Sequence, residues 1–182
     1  MSSLSLKEFR PTILFLAKFV GIYVIMSLLY GAFISSYEPL SDPPTHVVAV
    51  QTSSFLNVCG WTTRAVDSKS NPTTVISSGE RRVLAVYEGC NGLNVMIIFV
   101  AFVFAFGPLN NKLLWFIPAG LLTIHLANLS RIILLFWVSL YQPNATYFLH
   151  KYLFTAFLYV VVFVLWIVWV RRYSRLRSIS AT

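Results

Sequence analysis

Charge is the first thing this chain is short of. Only 11% of its 182 residues are Asp, Glu, Lys or Arg, and six acidic residues stand against fourteen basic ones. A soluble globular domain carries about 25% charged residues, so this composition excludes an ordinary water-exposed globule. Cysteine is equally scarce. Two cysteines cannot build a disulfide framework and no CxxC pair or comparable ligand spacing occurs, so neither a metal nor a cofactor is expected. Internal repeats and low-complexity tracts are missing as well. The formal net charge of +8 would raise nucleic-acid binding in a soluble protein. Here much of the basic charge lies beside apolar runs, which speaks of orientation in a bilayer, and no nucleic-acid partner is expected.

Apolar side chains fill the space that charge leaves: 57% of residues are hydrophobic and the mean hydropathy is +0.72. Crossing a bilayer takes about 20 apolar residues in a helix. Residues 12–34, TILFLAKFVGIYVIMSLLYGAFI, reach that length with only Lys18 interrupting. The run is too long for a signal-peptide core and lacks a clear small-x-small cleavage site, so an uncleaved anchor is expected. A polar segment follows over about 35–88. Within it HVVAVQTSSFLNV reads as a short interfacial helix, while TTRAV, TTVIS and RRVLAVY, rich in β-branched residues between turn signals, predict a small β-hairpin or meander. A second span runs from about 91 to 107, and the short turn PLNNK makes the next span its antiparallel neighbour. That third span stays largely apolar from Leu113 to Leu140, unusually long, with His125, Asn128, Ser130 and Arg131 inside it. A fourth covers about 151–170 and stops at RRYSRLR.

Lys7, Arg10 and Lys18 lie at the first span, Lys112 in the short turn, and Arg171, Arg172, Arg175 and Arg177 after the fourth span. Placing these inside gives an all-α integral membrane protein of about four transmembrane helices, both termini cytoplasmic, with a small extracytoplasmic segment between spans one and two. Arg64, Lys69, Arg81 and Arg82 in that segment oppose the rule mildly, but long translocated loops are nearly exempt from it. The expected organisation is a tail and anchor span over 1–34, the extracytoplasmic segment over 35–88, a three-span core over 89–170 and a basic cytoplasmic tail over 171–182.

Topology turns scattered residues into a site. Residues 87–94, YEGCNGLN, put Cys90 in loop chemistry at the outer end of the second span, seventeen positions before Gly107 and so about 25 Å above the inner turn. Arg131 lies nineteen positions after Lys112, about 28 Å up the third span, and His150 twenty positions before Val170, about 30 Å up the fourth. A nucleophile, a base and a cation therefore share one depth. A cysteine beside a span is ordinarily inert packing, and His150-Lys151 would serve as an interfacial anchor. Arg131 resists so plain a reading: an arginine within a span costs about 2.5–3.5 kcal/mol at mid-depth and needs a partner or a task. Asn128, three residues earlier on the same face, extends the polar stripe, with His125 one turn deeper.

A thiolate is the reactive form of cysteine. A helix start and Arg131 near Cys90 would favour that anion, and His150 would take the thiol proton and later return it to a leaving amine. Amides around Cys90, Asn91 and Gly92 would hold an oxyanion together with Arg131. Gly89 and Gly92 would let a substrate backbone approach. Glu88, unless paired, works against the thiolate.

EGCNGL opening one span, NLSR inside the next and a histidine opening the last together resemble the exosortase/archaeosortase family of membrane-embedded cysteine enzymes. The four-span layout is most similar to the exosortase F subtype. The family pattern of Cys-x-Gly-Leu, Asn-x-x-Arg and His falls on Cys90, Arg131 and His150, with Asn128 in support, over about Val83 to Trp169. The resemblance implies a transpeptidase or thiol protease of the cell's inner (cytoplasmic) membrane, its site on the extracytoplasmic side. Its partners would be exported proteins with a C-terminal sorting signal, made of a short motif, a transmembrane helix and a basic tail, cut through a thioester. Many relatives carry a longer N-terminal multispan region, so a membrane partner protein is a further expectation. The competing readings are a non-enzymatic assembly subunit with a structural Cys59–Cys90 disulfide, and a membrane acyltransferase using the same trio. A transporter fits four unbroken spans poorly. His125 and His46 are the rivals of His150 as base, and Asn144-Ala145-Thr146 is taken as a chance sequon.

Overall fold

The structure is a computed structural model that describes residues 6–107 and 111–173. The elements run α1 (Leu6–Ser35), α2 (Pro43–Val58), β1 (Thr63–Asp67), β2 (Thr73–Ser78), β3 (Arg81–Tyr87), α3 (Leu93–Phe106), α4 (Asn111–Tyr141), α5 (Pro143–Phe148) and α6 (Phe154–Tyr173). Most of PLNNK and the tail beyond Tyr173, including Arg175 and Arg177, lie outside the described residues. Three helical stretches are long and apolar enough to cross a membrane: Phe9–Ser35, Asn111–Tyr141 and Pro143–Arg171. The span expected over 91–107 is a shorter apolar helix, α3, whose 14 residues cover about 21 Å at the α-helical rise. Its start is set by Gly92, whose φ of 84° no helix interior accepts.

The fold is not purely helical. The polar segment forms a three-stranded antiparallel meander in the order β1-β2-β3, with a bulge at Ile76/Ser77. The helix expected before it is fully formed. Asp42 caps α2 by accepting from the Thr45 amide at 3.0 Å, and Pro43 and Pro44 occupy the first turn, where no amide proton is missed.

Two apolar cores share one helix. The outer core packs Val48, Ala49 and Leu56 of α2 and Ile76 and Val86 of the sheet against Ile132 and Phe136 of α4. The inner core packs Phe99 and Val103 of α3 and Val162 and Trp169 of α6 against Leu113 and Ile124, again of α4. The 31 residues of α4 span about 46 Å, which explains the length of the third apolar run: one end serves the bundle and the other carries the sheet. Close packing in the bundle needs Gly120, where any Cβ would overlap the Phe99 ring. The first helix joins through aromatic edges, with Phe15 5.6 Å from Phe102 and 5.4 Å from Phe106 between ring centres.

The sheet is fastened to the chain before α2 through Asp67. Its Oδ1 accepts from Ser41 Oγ and Thr74 Oγ1, both at 2.7 Å, and lies 2.8 Å from His46 Nδ1. Burial alone would raise the Asp67 pKa; the bonds from His46, Thr74 and Ser41 outweigh it and hold the carboxyl below its usual range. A carboxylate with a depressed folded pKa stabilises fully above its unfolded value, about 3.9, and ceases to as pH falls through the folded value. Pepsin cleavage within residues 59–87 should therefore be faster in Asp67→Asn than in wild type at pH 5. The difference should vanish towards pH 2. An excess that ignores pH would mean that the carboxylate charge contributes nothing to the joint.

Candidate active site

Cys90 closes a single 3-10 turn, Glu88–Cys90, between the end of β3 and the start of α3. Arg131 faces it from α4, and His150 from a π-helical turn, Leu149–Leu153, that links α5 to α6. Residues up to 60 positions apart meet here: Cys90 Sγ lies 3.1 Å from His150 Nε2, and Arg131 Nη2 lies 3.3 Å from that nitrogen and 3.9 Å from the sulfur. A guanidinium only donates, so the Nε2 it faces is the unprotonated nitrogen, and the neutral ring carries its proton on Nδ1. The same lone pair is the one turned to the thiol. π-Helical turns are rare and re-aim side chains within a helix. This one is tied by Thr155 Oγ1, which donates to the His150 carbonyl at 3.2 Å.

Cys90 and Arg131 are buried, at 4% and 5% exposure, and Asn128 is fully buried. Asn128 Nδ2 donates to the Cys90 carbonyl at 2.9 Å, so one helical turn of α4 holds the Cys90 backbone while the next presents the guanidinium. Among the described residues Arg131 Nε and Asn128 Oδ1 have no partner. Burial pushes the Cys90 thiol up, and Arg131 with Tyr87 only partly offsets this. The resting pair is thus thiol and imidazole. Arg131 favours the anion as expected, but burial outweighs it, and Cys90 sits two residues ahead of the helix cap.

Packing qualifies two further expectations. Of the amides near Cys90, Asn91 N donates to the Glu88 carbonyl at 3.4 Å, and beyond it Leu93 N donates to Asn91 Oδ1 at 2.9 Å. The glycines also serve the chain's own packing. Tyr87 covers Gly89, its Cε2 2.6 Å from where a Cβ would stand, and Asn128 fills the space beside Gly92 at 3.1 Å. Gly89 still lines a cavity of about 260 Å³ with Tyr87, Arg131, His150 and Lys151. Glu88 is exposed and is not among the groups acting on the thiol. The rival histidines have other partners: His125 Nε2 lies 2.8 Å from Gln51 Oε1, and His46 belongs to the Asp67 cluster. Both cysteines are free thiols, Cys59 exposed and Cys90 buried. Among the described residues no cluster of His, Cys, Asp and Glu could hold a metal.

Sequence reading missed the group that supports the loop from the other side. Asn91 Nδ2 donates to Tyr30 Oη of α1 at 2.7 Å and to Thr45 Oγ1 at 3.2 Å, and Thr45 Oγ1 donates to the buried Asp42 at 2.6 Å. The run Asp42-Pro43-Pro44-Thr45 carried a cap signal. Tyr30 carried none, since one tyrosine in an apolar span looks like any other.

The chain is therefore a helical membrane protein with a buried thiol and guanidinium in contact with a half-buried imidazole, ahead of its shortest apolar helix. Residues 9–168 match the family model of the transmembrane exosortases, and the chain belongs to that family. No curated protein and no solved structure matches it.

Gly92 and Gly60 provide an internal comparison. Both have positive φ, 84° and 91°, but only Gly92 is crowded. Alanine at either position should cost about 1–2 kcal/mol for the left-handed backbone. Gly92→Ala should in addition displace Asn128 and change the alkylation rate of Cys90, measured in a Cys59→Ala background; Gly60→Ala should not. Equal alkylation in the two variants would mean that the Gly92–Asn128 contact does not place the nucleophile.

Proposed function

We propose that this chain is a membrane-embedded cysteine transpeptidase that cleaves C-terminal sorting signals of exported proteins at the extracytoplasmic face, most like the exosortase F subtype. The observation that carries this reading is the 3.1 Å contact between Cys90 Sγ and the unprotonated Nε2 of His150, whose lone pair is turned to the thiol. Family membership supports the reaction class. In this reading the core over 89–170 holds the reacting groups, both termini are cytoplasmic, and the membrane is the inner one.

The roles follow from the geometry. His150 takes the Sγ proton as sulfur attacks the scissile carbonyl carbon, and the displaced carbonyl electrons become an oxyanion. Proton transfer puts a hydrogen on Nε2, facing Arg131 Nη2 at 3.3 Å. Two donors facing each other repel, so the guanidinium turns its hydrogen to the sulfur or the oxyanion, where charge has appeared. Its unpartnered Nε is a second donor for the same task. Collapse expels the amine, which takes the proton from His150 and leaves a thioester on Cys90. An acceptor nucleophile then repeats the sequence in reverse.

Co-expression with an exported protein that ends in a short motif, a transmembrane helix and a basic tail tests the reading. Cys90→Ala should abolish cleavage, His150→Ala should lower it by about 10²–10⁴-fold, and Arg131→Lys by about tenfold or more, because lysine lacks the planar fork. A covalent adduct released by neutral hydroxylamine should collect on wild-type Cys90. Undiminished cleavage by Cys90→Ala, against a substrate that wild type cuts, would sink the proposal.

Cys59 reports sidedness. Exposed at the end of α2, it should react with a membrane-impermeant maleimide in intact cells. Reaction only after permeabilisation would place α2 and the sheet in the cytoplasm and reverse the proposed orientation.

A further inference from the structure

The cavity beside Cys90 contains a group that neither the motif nor the proposed trio uses. Tyr87 is the last residue of β3, three positions before the cysteine. Its ring stands over Gly89, its centre is 6.2 Å from that of His150, and it lines the cavity together with Arg131 and His150. Tyr87 is 42% exposed, so part of it meets whatever enters. Sγ is contacted by His150 Nε2 at 3.1 Å and Arg131 Nη2 at 3.9 Å, and Tyr87 completes the same wall of the cavity.

We propose that Tyr87 is a further catalytic residue of this site, its phenol donating first to the Cys90 thiolate and then to the oxyanion of the tetrahedral intermediate. This rests on the transpeptidase reading of the previous subsection. The physical need is clear. Two of the loop amides are turned away from an oxyanion, Asn91 N to Glu88 O and Leu93 N to Asn91 Oδ1. Arg131 is a single guanidinium shared between the sulfur and Nε2. A phenol is a neutral donor, so it adds a hydrogen bond to the oxyanion without adding to the positive charge on Arg131 and the newly protonated His150. No proton leaves it: the O–H donates while His150 carries the proton from sulfur to the amine, and on collapse the oxygen regains its double bond. Burial and the neighbouring Cys90 both push the Tyr87 phenol up, which favours its protonated, donating form. The ring is seated against Gly89, and a side chain at 89 would displace it.

The test needs no substrate. Purified full-length Cys59→Ala protein in lipid nanodiscs is alkylated with iodoacetamide across pH, so that the rate reports the Cys90 thiolate. Tyr87→Phe keeps the ring and removes the donor. A hydrogen bond to the charged form favours that form, and bonds to charged groups are the stronger ones, so the midpoint should move up and the rate at pH 8 should fall by about tenfold. Replacing Tyr87 with 4-aminophenylalanine, a ring of nearly the same shape that keeps a neutral N–H donor across this pH range, should return the midpoint part of the way from Tyr87→Phe to wild type. A folding defect cannot separate two near-isosteric rings by whether they carry a donor. Profiles for both variants that coincide with wild type would overturn the proposal. Because alkylation reads only the thiol, that result would leave the transpeptidase reading standing. Loss of that reading, by contrast, would show in the cleavage assay alone.

Discussion

One buried cation holds the arrangement together. Arg131 is 5% exposed and lies on the one helix that both apolar cores share, between Ile124 of the inner core and Ile132 of the outer. A guanidinium within an apolar span is costly unless something accepts its hydrogens or needs its charge. Its neighbours here are His150 Nε2 and Cys90 Sγ, neither of them an anion at rest. The site therefore keeps a cation under-compensated and lets it be satisfied only when negative charge develops beside it. That is the form of electrostatic preorganisation expected of a site that stabilises an anion formed during reaction.

The rest of the fold can be seen as what keeps Cys90 within reach of that cation. Asn128 grips the Cys90 carbonyl from below, while Asn91, one residue on, is held by Tyr30 and Thr45 from the side. The nucleophile loop is thus clamped between the third apolar run and the N-terminal half of the chain. Glycine serves this clamp directly. Gly92 turns the backbone at φ 84° and leaves room for Asn128, and Gly89 leaves room for the ring of Tyr87. The sheet contributes by ending where it does, since β3 delivers Tyr87 and the 3-10 turn together.

Burial shapes the chemistry as well as the geometry. The same enclosure that raises the cost of a thiolate strengthens every donor aimed at it, because the local dielectric is low. A resting thiol beside a neutral imidazole is the consequence. Such a pair spares Cys90 from persistent ionisation, while proton transfer stays one short contact away.

Much of this was legible in the amino-acid order. Apolar runs give the helices, because a bilayer demands about 20 residues of them, and Arg131 marked itself by its expense. The depth of Cys90, Arg131 and His150 followed from helical rise alone, and the structure brings the three into contact. The β-branched stretches gave the strands. What residue order did not contain was everything that depends on two distant surfaces meeting. The glycines looked like openings for a substrate, and they also make room for Tyr87 and Asn128. The Asn91 amide looked free and is bonded to the Glu88 carbonyl. Tyr30 and Asp42 gave no sign of reaching Asn91. Even the balance of the Cys90 thiol went the other way, since a neighbouring charge can be read from spacing but burial cannot. Periodicity and cost are local properties and survive in the sequence; enclosure belongs to the packed chain, and only the tertiary structure decides it.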